Sequence, residues 1–244
     1  MTPERRTGGV QEYYHYKIMK KYVLGYGSLI NRASRLMTVP TAHEAFPVKL
    51  EGFTRGWWAR TPVPGFTTTF LGCISVADFR RFRGERPHDD YLNGVFFEVS
   101  DEDLLAMDKR ERGYDRVLVA KSQLGFYEAS SGFDPDGEFY IYLNNFSDEA
   151  QFESALPSEN VPIVQSYVDI CMEGCLEQEA EFSFLLEEDF VSRFLLSCQE
   201  WNVHWVNDRI HPRRPHVYSP QAFKIDQILY DSPLKRIYET VRIE

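Results

Sequence analysis

Basic charge is in short supply in this 244-residue chain, where 27 Lys and Arg face 37 Asp and Glu for a formal net charge of −10. A surface that holds nucleic-acid phosphates needs clustered cations, so the balance argues against that class of partner. The one basic stretch, residues 209–214, reads as an ordered loop with ion pairs. Long apolar runs are also missing. None approaches the roughly 20 residues needed to cross a bilayer, and no membrane partner is expected. Residues 1–20 form a polar leader without the apolar centre of a secretory signal. Cysteine is scarce, with 4 residues and no disulfide-scaffold density, which agrees with a cytoplasmic setting. Cys171 and Cys175 fall one helical turn apart, a spacing that can begin a metal site. No nearby His or Cys completes four ligands, so core thiols are favoured. None of the 6 His falls into a metal or triad pattern, and Cys73 has no His at a motif-like distance. Neither a metal nor a cofactor is expected.

What the chain has in quantity is aromatic side chains, 15% of the residues, with 18 Phe and 14 Tyr. They promise a bulky core and phenolic hydroxyls able to line a pocket. An apolar strand from Tyr22 ends in Gly25-Tyr26-Gly27-Ser28-Leu29. Strand-like runs follow at Val48 to Trp57, Thr67 to Val76, Leu92 to Val99 and Glu138 to Leu143. The first clear helix begins after Ser100, which forms a capping-box pattern with Asp103, and Gly113 offers its stop. Longer helices fit Val161 to Glu177, beginning beside Pro162, and Glu188 to Gln199. From Trp201 the chain reads as irregular, with a possible short helix after Ser219. The order suggests an α+β fold with a mostly antiparallel sheet or small barrel, flanked by helices and followed by a helical and irregular C-terminal extension.

Two features carry chemistry. In the glycine turn, successive N–H groups can converge on one anionic oxygen, or the glycines can serve sterics alone. The Walker and dinucleotide patterns both fail, for want of Gly-Lys-Ser/Thr and of the third glycine. The second feature is Glu111, in line with Leu104 and Met107 on the apolar stripe of its helix, with Lys109 and Arg110 pointing elsewhere. A carboxylate there is costly unless paired or used. Burial would suit it to general-base work, and the alternative is a structural ion pair with Arg112 or Arg116. Trp57 and Trp58 read as core and rim, and Trp201 to Pro215 as a structured cap over the core.

Together, in this order, the two features resemble the γ-glutamylcyclotransferase-like family. Its members carry a Tyr-Gly-Ser turn after the first strand and a catalytic Glu at the end of a later helix. The matching residues are Tyr26-Gly27-Ser28-Leu29, Glu111 within Asp108 to Tyr114, Tyr142-Leu143 at a strand end, and Gln165-Ser166-Tyr167 opening a helix. The resemblance spans about residues 21–177 and implies a family domain over 21–180; it assigns nothing to the remainder, and 181–244 is expected to be an extension packed on the core. Leu29 departs from the Asn of other branches, and the step from Glu111 to Tyr114 is short. What the resemblance implies is ring closure of a small-molecule γ-glutamyl substrate to 5-oxoproline, without a metal or covalent intermediate. Glu111 would be the proton shuttle, and Gly27, Ser28 and Leu29 the oxygen cradle. Tyr26, Tyr114, Tyr142 and Tyr167 would supply hydroxyls and walls. Glutathione and γ-glutamyl amino acids are the nearest substrates. Removal of a γ-glutamyl protecting group in biosynthesis, a non-catalytic binding module and an acidic interaction protein are the competing readings. The oligomeric state is left open.

Overall fold

The computed structural model describes residues 19–60, 67–89, 91–130, 132–213 and 219–244. The polar leader up to residue 18 and residues 214–215 of the proposed cap lie outside the described residues. In chain order the strands are β1 (Lys21–Gly25), β2 (Phe46–Glu51), β3 (Phe53–Ala59), β4 (Phe70–Ser75), β5 (Tyr91–Val99) and β6 (Asp115–Leu118). They continue as β7 (Leu124–Phe126), β8 (Glu138–Leu143), β9 (Ile163–Val164), β10 (Cys198–Gln199), β11 (Trp205–Asn207) and β12 (Arg242–Ile243). The helices are α1 (Arg32–Leu36), α2 (Val76–Arg83), α3 (Asp101–Arg110), α4 (Glu149–Ala155), α5 (Gln165–Phe182), α6 (Phe190–Ser197), α7 (Ala222–Asp231) and α8 (Lys235–Tyr238). A 3-10 turn, Ser28–Ile30, follows β1 directly.

β1 is an unbroken apolar run because both of its faces are covered. Side chains alternate across a strand. Val23 therefore joins the core that contains Val168 and Met172 of α5, while Tyr22 and Leu24 join Val48, Phe96 and Phe139 on the other side. That burial places β1 inside the largest sheet, ordered β6-β8-β1-β5-β2-β7. Its pairs are antiparallel except β1 with β8. The sheet is open, with β6 and β7 at its edges, which decides between the sheet and barrel readings. Among the described residues two smaller sheets, β10-β3-β4 and β12-β11-β9, stand beside it. The fold is α+β, a mainly antiparallel sheet flanked by helices.

Several local readings need correction. The run Val48 to Trp57 is two strands: Gly52 sits at φ +80°, and the chain turns there into a different sheet. Two helices precede the one after Ser100. The Asn31 side chain caps α1 by accepting from Ser34 N, and Ser75 caps α2 by accepting from Asp78 N, with Gly84 as its left-handed stop. The α3 helix carries the expected box, with Ser100 and Asp103 each accepting from the other's backbone N–H. A further helix, α4, intervenes, and the helix expected from Val161 starts later, at Gln165, because Pro162 leads into β9 and its carbonyl accepts from Thr69 N at 2.9 Å. Likewise α6 begins at Phe190, where Asp189 accepts from Ser192 N at 2.7 Å. Beyond Trp201 the chain is more regular than its prolines suggest. Ile225 and Leu229 of α7 are buried in the same core as α5.

Candidate functional site

The turn after β1, the end of α3, the end of β8 and the first turn of α5 meet at one cleft. It is lined by Leu24, Tyr26, Gly27, Ser28, Leu29, Leu71, Glu111, Tyr114, Tyr142 and Tyr167. The eight residues named from sequence are thus brought together, with Leu24 and Leu71 added. The cleft is narrow, about 40 Å³, room for about three waters. At its floor the chain leaves β1 and starts the 3-10 turn, where the first N–H groups lack acceptors within the helix. A side chain at Gly27 would lie 3.3 Å from the Tyr167 hydroxyl, so this position keeps the backbone open to the cleft.

Glu111 stands at the end of α3, not within its stripe. It is the C-cap residue, at φ −89° and ψ 28°, and its N–H still donates to Met107 C=O. Gly113, at φ +109°, turns the chain so that Tyr114 N donates to Glu111 C=O at 3.0 Å. The short step from Glu111 to Tyr114 therefore brings both side chains to the same cleft. The Glu111 side chain is 18% exposed, and its Oε1 lies 3.2 Å from Arg110 Nε. This corrects the sequence reading of Arg110, which does not point away from the carboxylate. Helical spacing misleads here because residue 111 has already left helical geometry. Arg110 also donates to Ser34 C=O (2.6 Å), Ser34 Oγ (2.9 Å), Thr38 Oγ1 (3.1 Å) and Ser28 Oγ (3.4 Å). It ties the carboxylate, the turn and α1 together.

The tyrosines are fixed by different means. Tyr26 Oη donates to Tyr142 C=O at 2.8 Å. Burial pushes its phenol well above the usual range, and the nearby Tyr114, Cys73, Glu111 and Tyr167 act in the same direction. Tyr26 is therefore a neutral donor. Tyr142 Oη donates to Asp108 Oδ1 at 2.8 Å, and Arg116 Nη1 holds Asp108 Oδ2 at 3.0 Å. Burial and that bond both raise the Tyr142 phenol. Arg116 thus partners Asp108. Tyr114 Oη donates to Leu71 C=O at 3.3 Å. Tyr167 is wedged edge-on between Trp57 and Phe70, with ring centroids 6.0 and 5.0 Å away.

Asp208, inside the stretch read as a cap, and Gly174 seat the helix that carries Tyr167. Val164, at the N-cap of α5, has no side-chain acceptor. Asp208 supplies it from far along the chain, accepting from Ser166 N at 2.8 Å and Ser166 Oγ at 2.7 Å. At Gly174 a Cβ would lie 2.6 Å from the Ile30 carbonyl carbon, so α5 rests directly on the turn's backbone. Trp57 and Trp58 are both fully buried, so the rim reading does not hold for them. Trp201 of the C-terminal stretch stacks edge-on against Trp57 at 4.9 Å. The four cysteines are all buried, and burial raises the Cys73, Cys175 and Cys198 thiols, as befits core residues.

A larger groove of about 1260 Å³ lies along the start of β1 and the start of α3. Its cations face its own acids, Lys20 with Glu98 and Lys21 with Asp101. Its lining holds none of the eight residues that the sequence points to. No described helix is long and apolar enough to cross a membrane.

No family model matches the sequence, and no curated protein matches it. Among solved structures, the chain is similar to a gamma-glutamyl cyclotransferase at a TM-score of 0.48 and 12% identity, over 85% of this chain and 99% of that one. It is also similar to the uncharacterized protein loc79017 from Homo sapiens, at a TM-score of 0.47 and 13% identity, over 85% and 98% of the two chains. A glutathione-specific gamma-glutamyl cyclotransferase from yeast matches at a TM-score of 0.39 and 16% identity, over 72% and 96%. In fold, the chain is similar to γ-glutamylcyclotransferases.

Proposed function

We propose that the chain is a cyclotransferase that releases 5-oxoproline from a γ-glutamyl amine or peptide. One observation carries the reading: a single narrow cleft gathers the Gly27–Leu29 backbone, the Glu111 carboxylate and four tyrosines. The substrate's α-amine attacks its own γ-carbonyl carbon, a C–N bond closes the five-membered ring, and the bond to the distal amine breaks. Atoms balance without water. Glu111 takes the proton from the attacking nitrogen and returns it to the departing one, a contribution of about 10²–10⁴ in rate. The N–H groups of Gly27, Ser28 and Leu29 receive the developing oxyanion, each such donor being worth roughly 10²–10³. Ser28 is not a nucleophile. Because nucleophile and electrophile share one molecule, the remaining task is to fold the glutamyl chain into attack geometry.

The test is to incubate the protein with glutathione and γ-glutamyl-alanine and to follow 5-oxoproline. Glu111→Gln is expected to keep the wild-type melting temperature and to lose at least about 10² in kcat. Full activity in that variant removes Glu111 from the mechanism. Failure of a broad γ-glutamyl panel to yield 5-oxoproline overturns the cyclotransferase reading.

A further inference from the structure

Behind the turn lies a buried cation that, among the described residues, pairs with no carboxylate. Arg55, in the middle of β3, is fully buried. Its guanidinium crosses from the β10-β3-β4 sheet to the larger one. Nη1 donates to Tyr26 C=O at 2.9 Å and Asn93 C=O at 2.7 Å; Nη2 donates to Asn93 Oδ1, to Ser197 Oγ at 2.6 Å and to Phe194 C=O at 3.4 Å. Phe194 lies face-on beneath it at 4.2 Å. Among the described residues its recorded acceptors are all neutral oxygens. Burial lowers its pKa, and the four buried thiols Cys73, Cys171, Cys175 and Cys198 act on it in the opposite direction.

A buried charge without a counter-ion is costly, and an apolar side chain would fill this space more cheaply. One of the five acceptors it holds is the Tyr26 carbonyl. That oxygen belongs to the Tyr26–Gly27 peptide, which is trans. In a trans peptide the C=O and N–H point in opposite directions. Holding the carbonyl against Arg55 turns the Gly27 N–H away from the guanidinium, and Gly27 lines the cleft. A cation on the carbonyl also draws electron density through the peptide and strengthens the N–H as a donor.

We propose that Arg55 is a positioning residue for the turn: from outside the cleft it orients and polarises the Tyr26–Gly27 peptide, whose N–H receives the developing oxyanion. The proposal rests on the cradle role given above.

The test uses Arg55→Met, Arg55→Lys and Ser197→Ala in the full chain. It has two readouts: kcat and KM measured separately, and the Gly27 amide resonance in labelled protein. Arg55→Met is expected to lower kcat about tenfold or more with little change in KM, a part of one oxyanion donor's effect. Arg55→Lys keeps the charge without the fork and recovers part of the loss. Both move the Gly27 amide proton upfield. Ser197→Ala removes another acceptor of the same guanidinium, so it lowers the melting temperature but leaves kcat and the Gly27 resonance in place. If Arg55→Met does not fold, Arg55→Lys and Ser197→Ala must part in the same two readouts. An unmoved Gly27 resonance in Arg55→Lys, or an equal fall of kcat in Ser197→Ala, overturns the proposal. If the wild type turns over no γ-glutamyl substrate, the cyclotransferase reading fails, and the Gly27 resonance still decides whether Arg55 governs this peptide.

Discussion

Arg110 Nε lies 3.2 Å from Glu111 Oε1, although the two residues are adjacent in sequence and an unbroken helix would send them to different faces. The contact exists because Glu111 closes α3 as its C-cap, and Arg110 reaches back toward Ser28 and Ser34. The proposed base is therefore oriented by the residue before it.

Replacing that cation should lower turnover without unfolding the chain. Arg110→Met is expected to reduce kcat/KM by about tenfold, since Glu111 loses its recorded ion-pair partner and the turn loses a tie to α3. Steady-state kinetics beside a melting curve measures it. Wild-type kinetics in the variant would make the pair incidental to turnover.

The contact of α5 with the turn admits no side chain at Gly174. Gly174→Ala should destabilise the protein by about 1–3 kcal/mol, because the new methyl meets Ile30 and Asn31 backbone, which cannot rotate aside. Denaturant unfolding gives the stability, and activity should fall with it because Tyr167 rides on the same helix. A stable, fully active variant would contradict the close approach.

Asp208 caps α5 from a distance, accepting from Ser166 N, Ser166 Oγ and Arg213 N. Asp208→Ala is expected to cost about 2 kcal/mol in stability, the upper range for a lost cap. Hydrogen exchange should show it first, as faster exchange at the Ser166 amide than elsewhere in α5. Uniform exchange along the helix would refute the capping role.

Acid stability should be sensitive to Glu188. Burial pushes this carboxyl up, but donors Tyr127, Tyr91 and Arg193 together outweigh it and hold it below the usual range. A carboxylate with a depressed folded pKa stabilises the fold above its unfolded pKa, about 4.3, and that contribution is lost as pH falls through the folded value. The wild type should therefore exceed Glu188→Gln by about 1–2 kcal/mol at neutral pH, with the gap closing below about pH 4. Paired denaturant titrations at pH 7, 5 and 3.5 measure it. A gap that widens in acid would reverse the assigned sign.

The sequence by itself determined the pieces whose cause is local. β1 and its glycine turn, the Ser100–Asp103 box on α3 and the strand Glu138–Leu143 follow from apolar runs, capping chemistry and turn residues. The caps of α1 and α2, Asn31 and Ser75, are local signals too, but these helices are short and flanked by apolar strand runs whose pattern is stronger. Tertiary structure alone decided the rest. Arg110 turns toward Glu111 because a helix ends there, Asp208 caps a helix that begins 43 positions earlier at Gln165, and Arg55 reaches Tyr26 across two sheets. Each depends on contacts between segments distant in sequence or on where an element stops. Periodicity reports which face of a continuing element is apolar, and it says nothing about either.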